Sequence, residues 1–245
     1  MYALNERGEQ YHLEIKNGDV GRYVILPGDP GRVEVIASFL DDAEEVAHHR
    51  EYKTYTGYLD GVKVSVTSTG IGGPSAAIAV EELHAVGSDT FIRIGTAGMI
   101  QDYFEKDDCI IATGSVRDEG TSRHYEPLAY PAVADYRVVQ ALVDAAEMNH
   151  KKCHVGIIQS KDGFYGETEP ENVPVEQMLR YQWDAWKRGG VLASEMEAAA
   201  IFVVSSIRRA RAGCVLNNRG DIKETIKVAV DAIRLLIKRD RTQYS

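Results

Sequence analysis

Cysteine is scarce in this chain: Cys109, Cys153 and Cys214 stand far apart, are odd in number and form no CxxC pair. That pattern excludes a disulfide framework and a zinc knuckle, so the three are expected to be reduced thiols, mostly buried. Long apolar runs are missing too. Neither the N-terminal stretch MYALNERGEQYHLEIKNGDVGRYVIL nor any later segment matches a signal peptide or a membrane-spanning helix, and the expected location is the cytoplasm, with no membrane partner. Positive charge is in deficit, with 28 Lys and Arg against 37 Asp and Glu and a formal charge of −9. No broad electrostatic grip on nucleic acid or an anionic membrane follows from such a balance, and an anionic substrate needs local basic groups. Several catalytic signatures are absent as well. There is no GxSxG elbow, no HExxH helix and no Walker lysine, and Ser75 occupies the place where a dinucleotide fingerprint needs its third glycine.

What is present is a 245-residue chain that is 44% apolar, enough for one sizeable α/β domain spanning 1–245. The run Tyr23 to Leu26 breaks at Pro27-Gly28-Asp29-Pro30. Asp60-Gly61 separates two strand-like stretches, Tyr52 to Leu59 and Val62 to Thr69, which reads as a hairpin. The second stretch runs into Gly70-Ile71-Gly72-Gly73, and Pro74 then opens a helix that stops near Gly87. Buried strands are expected from Thr90 to Ile94, ending in Gly95-Thr96-Ala97-Gly98, and from Cys109 to Ala112. Helical periodicity marks 136–148, 175–186, 194–207 and 222–237, with a strand from Cys153 to Ile158. The alternation predicts a central, mixed but largely parallel twisted sheet flanked by helices, with three glycine-bearing loops on one edge. The polar stretch Gly163 to Pro174 reads as a flap.

An arginine inside the apolar strand FIRIG must have its charge paired, and either a phosphate or an acidic side chain would pair Arg93. Arg32 and Arg50 are further candidates for an anion site, though each alone fits a solvated surface position. Ser194 with Glu197 has the spacing of an N-terminal capping box, and a carboxylate there also suits adjacent sugar hydroxyls. His12 and Phe164, taken alone, read as a surface histidine and a packing aromatic.

Eight ordered motifs, VILPGDPGRVE, HREY, STGIGGPSAAIAVEEL, FIRIGTAG, EGTSRHY, YPAVADY, KDGFYG and ASEMEAAA, together resemble the hexameric nucleoside phosphorylase family, in its bacterial, uridine-cleaving branch. The resemblance implies reversible phosphorolysis of uridine to uracil and ribose 1-phosphate in pyrimidine salvage, by a pentosyltransferase. It places phosphate against the Gly28 backbone and the side chains of Arg32, Arg50, Arg93 and Thr96. It gives the ribose to His12, Met196 and Glu197, and the base to Phe164 and Glu167; Arg93 and Glu197 carry the catalysis. No cofactor is implied beyond phosphate as co-substrate. A monovalent cation is bound at the dimer interface in some relatives, at positions matching Glu51, Ile71 and Ser75. The implied assembly is a hexamer built from dimers, with His12 and Arg50 reaching into a neighbouring subunit's site.

Two departures from the family pattern qualify this picture. Glu167 stands where relatives commonly carry Gln, and an ionised carboxylate accepts hydrogen bonds without donating any. Between Leu216 and the last helix only Asn217-Asn218-Arg219-Gly220-Asp221 intervene, where the pattern has a longer strand and loop closing over the base. Arg219 is the one basic residue in that link. These features keep open another base preference, or a nucleoside-binding protein with impaired catalysis. A nucleosidase using water is the same-fold alternative, disfavoured by the three arginines, and an NAD-binding oxidoreductase is more distant still.

Overall fold

The computed structural model describes residues 4–218 and 221–243; Arg219 lies outside them. Eleven strands form one sheet: β1 (Tyr23–Pro27), β2 (Asp41–His49), β3 (Tyr52–Leu59), β4 (Val62–Thr67), β5 (Thr90–Thr96), β6 (Gly98–Met99), β7 (Cys109–Asp118), β8 (Ala132–Val133), β9 (Cys153–Lys161), β10 (Ala193–Glu195) and β11 (Arg211–Asn217). The helices are α1 (Val33–Ala37), α2 (Gly73–Ala85), α3 (Tyr136–Met148), α4 (Phe164–Thr168), α5 (Glu176–Arg188), α6 (Ala198–Ile207) and α7 (Lys223–Gln243).

Local chemistry accounts for many of the boundaries. Every residue of β1 is buried, as a strand covered on both faces requires. Asp60 and Gly61 both take positive φ (51° and 74°), the demand of a type I′ hairpin turn, and β3 and β4 pair antiparallel across it. Pro74 sits in the first turn of α2, where its missing N–H is no loss. The Asp135 carboxylate accepts from the backbone N–H groups of Arg137 and Val138 and so starts α3.

Strand order is β2-β3-β4-β1-β5-β11-β7-β9-β10-β6, with β8 on β7. The stretch β4-β1-β5-β11 is parallel. Beyond it, β7 reverses direction against β11, and β9 and β10 then run parallel with β7. The path ends on β6, the continuation of β5, so one half of the sheet curls back on itself through the antiparallel β6–β10 pair. This curl brings β10 opposite β5. Helices cover both faces: α2 and α6 belong to one buried apolar cluster, while α1, α3 and α7 belong to the other. Among the described residues no helix is long and apolar enough to cross a membrane.

Two expectations change, and two features go beyond the sequence reading. Ser194 and Glu195 lie in β10 and the helix starts at Ala198, because the Glu195 carboxylate, rather than the Ser194 hydroxyl, accepts from the first amides, Glu197 N and Ala198 N. Cys109 and Cys153 are not free thiols; they are register partners on the parallel strands β7 and β9, 4.3 Å apart at Cα, and are joined as a disulfide, leaving Cys214 as the buried free cysteine. Their separation in sequence concealed a pairing that only sheet register reveals. The stretch 163–174 forms α4 and a short 3-10 turn at Pro170–Asn172. Finally, β2 escaped the sequence pattern because it is an edge strand whose residues, DDAEEVAHH, are exposed or half-buried, with none in the core.

Candidate active site

The glycine loops after β1, β4 and β5 do fall on one edge, where they surround a cavity of about 810 Å³. Gly28, Arg32, Arg93, Thr96, Phe164, Met196 and Glu197 all line it, so seven sequence candidates from distant stretches meet at one place. Arg32 comes from the turn after β1, its Nε 3.9 Å from Asp29, and Thr96 ends β5.

At the floor lies Arg93, only 4% exposed. Its Nε donates to Glu195 Oε2 at 2.7 Å, and its Nη2 pairs with Glu197 Oε2. The acidic partner that the sequence allowed is therefore present, and doubly so. Burial works against the charge, but Glu197 and Glu195 outweigh it and hold the guanidinium above its ordinary pKa. Arg93 Nη1 is buried and finds no hydrogen-bond partner, a donor left over for a ligand. The strand stays narrow here because residue 95 is glycine; a Cβ on Gly95 would come within 3.0 Å of Arg93 Nη2.

Glu197 is held from two sides, its Oε1 accepting from Gly72 N at 2.6 Å and its Oε2 from Arg93. A carboxylate offers about four acceptor directions, so two remain for hydroxyl donors. Burial pushes the pKa of Glu197 up in spite of Arg93, and the neighbouring Glu195 adds to the rise. Glu195 is the residue the sequence did not single out. It ties Arg93, Ser160 and the first amides of α6 into one cluster, and only the curl of the sheet reveals it.

The other candidates lie elsewhere. Glu167 does not line the cavity; its carboxylate accepts from Gln159 Nε2 (2.6 Å), Lys161 Nζ (2.5 Å) and Ser194 Oγ (2.9 Å). Lys161, and Ser194, which the sequence marked only as a helix cap, do line it. His12 and Arg50 are absent from the wall of their own chain's cavity. The segments that carry them meet elsewhere, since the ring of His49, the residue before Arg50, contacts the His12 carbonyl at 2.9 Å. His12 is fixed there by buried Glu82, which takes its ring Nδ1 at 2.6 Å and the amides of His12 and Leu13. Of the positions matching the cation site, Glu51 and Ile71 line the cavity, and the Ser75 hydroxyl donates to the Ile71 and Gly72 carbonyls.

A mixed α/β sheet whose strand-end loops gather arginines beside a buried carboxylate with acceptor directions to spare could hold an anion next to a polyol. The chain belongs to the Phosphorylase superfamily, which it matches over residues 22–231. It is 47% identical to the uridine phosphorylase of Treponema pallidum, over 94% of this chain and 95% of the relative. It is similarly 48% identical to the uridine phosphorylase of Thermococcus kodakarensis, over 96% and 89% of the two chains. The guanosine phosphorylase of Halorubrum lacusprofundi is 46% identical over 87% of this chain and 84% of its own.

Proposed function

We propose that this protein catalyses the reversible phosphorolysis of uridine, giving uracil and ribose 1-phosphate, and acts in the cytoplasm in nucleoside salvage. The observation that carries the reading is the buried Arg93 beneath the cavity, with one nitrogen unpartnered and Glu197 beside it. Phosphate would lie on the Gly28 backbone between Arg32, Arg93 and Thr96. The ribose hydroxyls would donate to the open acceptor directions of Glu197, beside Met196. As the bond from C1′ to the base lengthens, the sugar becomes cationic; phosphate fixed by arginines neutralises it and attacks C1′. The negative charge of Glu197 favours that cationic sugar over the neutral ground state, so its contribution falls on the transition state.

The absence of both His12 and Arg50 from their own chain's cavity wall, with their segments joined through His49, supports an assembly in which a neighbouring copy supplies both, a dimer unit of a hexamer. No organic cofactor enters this scheme, and a monovalent cation near Glu51, Ile71 and Ser75 belongs to the same proposed interface. The relative named guanosine phosphorylase supports a second reading, with guanosine as the nucleoside. An ultraviolet assay of uridine, thymidine, inosine and guanosine, with and without phosphate, tests both. Phosphate-dependent uracil release is expected; release at an unchanged rate without phosphate would mean a nucleosidase.

A further inference from the structure

The base end of the cavity is built differently from the phosphate end. Phe164 and Thr168, one helical turn apart on α4, face the cavity, while Glu167 on the same helix turns towards the sheet. There it meets Lys161, the last residue of β9, whose ammonium lies 2.5 Å from the carboxylate and 5.7 Å from the Phe164 ring centroid. Lys161 is 8% exposed and lines the cavity. Of the three cations in the cavity wall among the described residues, Arg93 is matched by two carboxylates and Arg32 stands beside Asp29 near the strand-end glycines. Of these three, Lys161 is the one beside Phe164.

Phosphorolysis needs a positive group on that side. When C1′–N1 breaks, the bonding electron pair stays with uracil and spreads over its ring nitrogen and carbonyl oxygens, while a phosphate oxygen forms the new bond to C1′. The proton that uracil finally takes up is the one carried by the hydrogen phosphate, so the charge stands on the base until that transfer occurs. A preorganised cation in a water-poor wall stabilises such charge without reorganising.

We propose that Lys161 is the residue that takes up the negative charge of the departing base, with Glu167 as the positioning residue that holds its ammonium at the wall. This rests on the phosphorolysis reading and assigns the base end of the same site. Glu167, with donors from Gln159, Lys161 and Ser194, is spent on orientation rather than on the base edge. Gln159, buried and donating to both Glu167 and Asp118, stiffens the arrangement from behind.

Leaving-group dependence tests the assignment. Single-turnover rates would be measured with 5-methyluridine, uridine and 5-fluorouridine, whose bases leave with increasing ease, for wild type, Lys161→Met, Lys161→Arg and Glu167→Gln. Lys161→Met is expected to lose about 10²–10³-fold with uridine and much less with 5-fluorouridine, since a better leaving group needs less stabilisation. Lys161→Arg should keep the shallow dependence of the wild type, and Glu167→Gln should fall between. Equal losses on all three substrates would overturn the proposal, because a structural lysine has no reason to sense the leaving group. Should Lys161→Met fail to fold, Glu167→Gln decides: a dependence steeper than that of wild type and Lys161→Arg supports the proposal, and one no steeper than theirs overturns it. A wild type without phosphate-dependent release from any of the three would instead overturn the phosphorolysis reading, and this assignment with it.

Discussion

Replacing Arg93 by Met should damage stability as well as activity, and in a pH-dependent way. The side chain is 4% exposed and is the cation facing both Glu195 and Glu197 at the cavity floor. Methionine fills much of the same volume but leaves two buried carboxylates side by side. Removing one member of a buried ion pair costs about 3–5 kcal/mol, a large part of the roughly 5–15 kcal/mol that holds a domain folded. Burial already pushes Glu197 up with the guanidinium in place, and without it one carboxyl of the pair must rise further. A carboxyl with a raised folded-state pKa binds its proton more tightly in the folded chain. The variant therefore regains stability as pH falls, by about 1.4 kcal/mol per unit below that raised value until the ordinary carboxylate range is reached. Urea unfolding of wild type and Arg93→Met at pH 8 and pH 5 measures this directly. The gap should be widest at pH 8, narrow markedly at pH 5, and shrink at pH 8 when Glu195→Gln is added. Parallel losses at both pH values would refute the account of the cluster as a charge-compensated unit.

Glu197→Gln keeps an acceptor for Gly72 N and should fold, as read by circular dichroism, while kcat falls about 10²–10³-fold, the scale of losing one preorganised electrostatic contact. In Gly95→Ala the new methyl presses on Arg93 Nη2, so the Michaelis constant for phosphate should rise, with a stability loss of about 1–3 kcal/mol in the urea midpoint. Titration of the denatured, unreduced chain with a thiol reagent should find one reactive cysteine, Cys214, and three after reduction; three before reduction would remove the Cys109–Cys153 link.

Much of this was legible in the sequence because the relevant signals are local. Buried strands ending in glycine loops announced the cavity edge, and an arginine within FIRIG announced a buried charge that needed a partner. The span of α3 matches its apolar periodicity and its Asp135 cap, and the β3–β4 hairpin matches its Asp-Gly turn. What stayed hidden depends on contacts between remote segments. Glu195 meets Arg93 across 102 residues of sequence, and Cys109 meets Cys153 through strand register. Ser194 carried a helix-cap pattern that lost to pairing with β6 and β9, since a three-residue strand gives almost no periodic signal. Lys161 stood in the sequence only as the first letter of KDGFYG, and its position at the end of β9 turns it towards the cavity.

The curl of the sheet separates two kinds of constraint. Arg93, Glu195 and Glu197 are enclosed where β5 faces β10, and Glu195 also starts α6, so any exchange there disturbs helix, strand and chemistry together. The end proposed to take the base instead hangs on α4, five residues long and without a buried side chain. Under the proposed function, substitutions at Phe164 and Thr168, which face the cavity, can alter which ring is accepted while Arg93, Glu195, Glu197 and the Lys161–Glu167 pair stay as they are. A single scaffold of this design is thus free to diversify its choice of nucleoside by changes at its periphery.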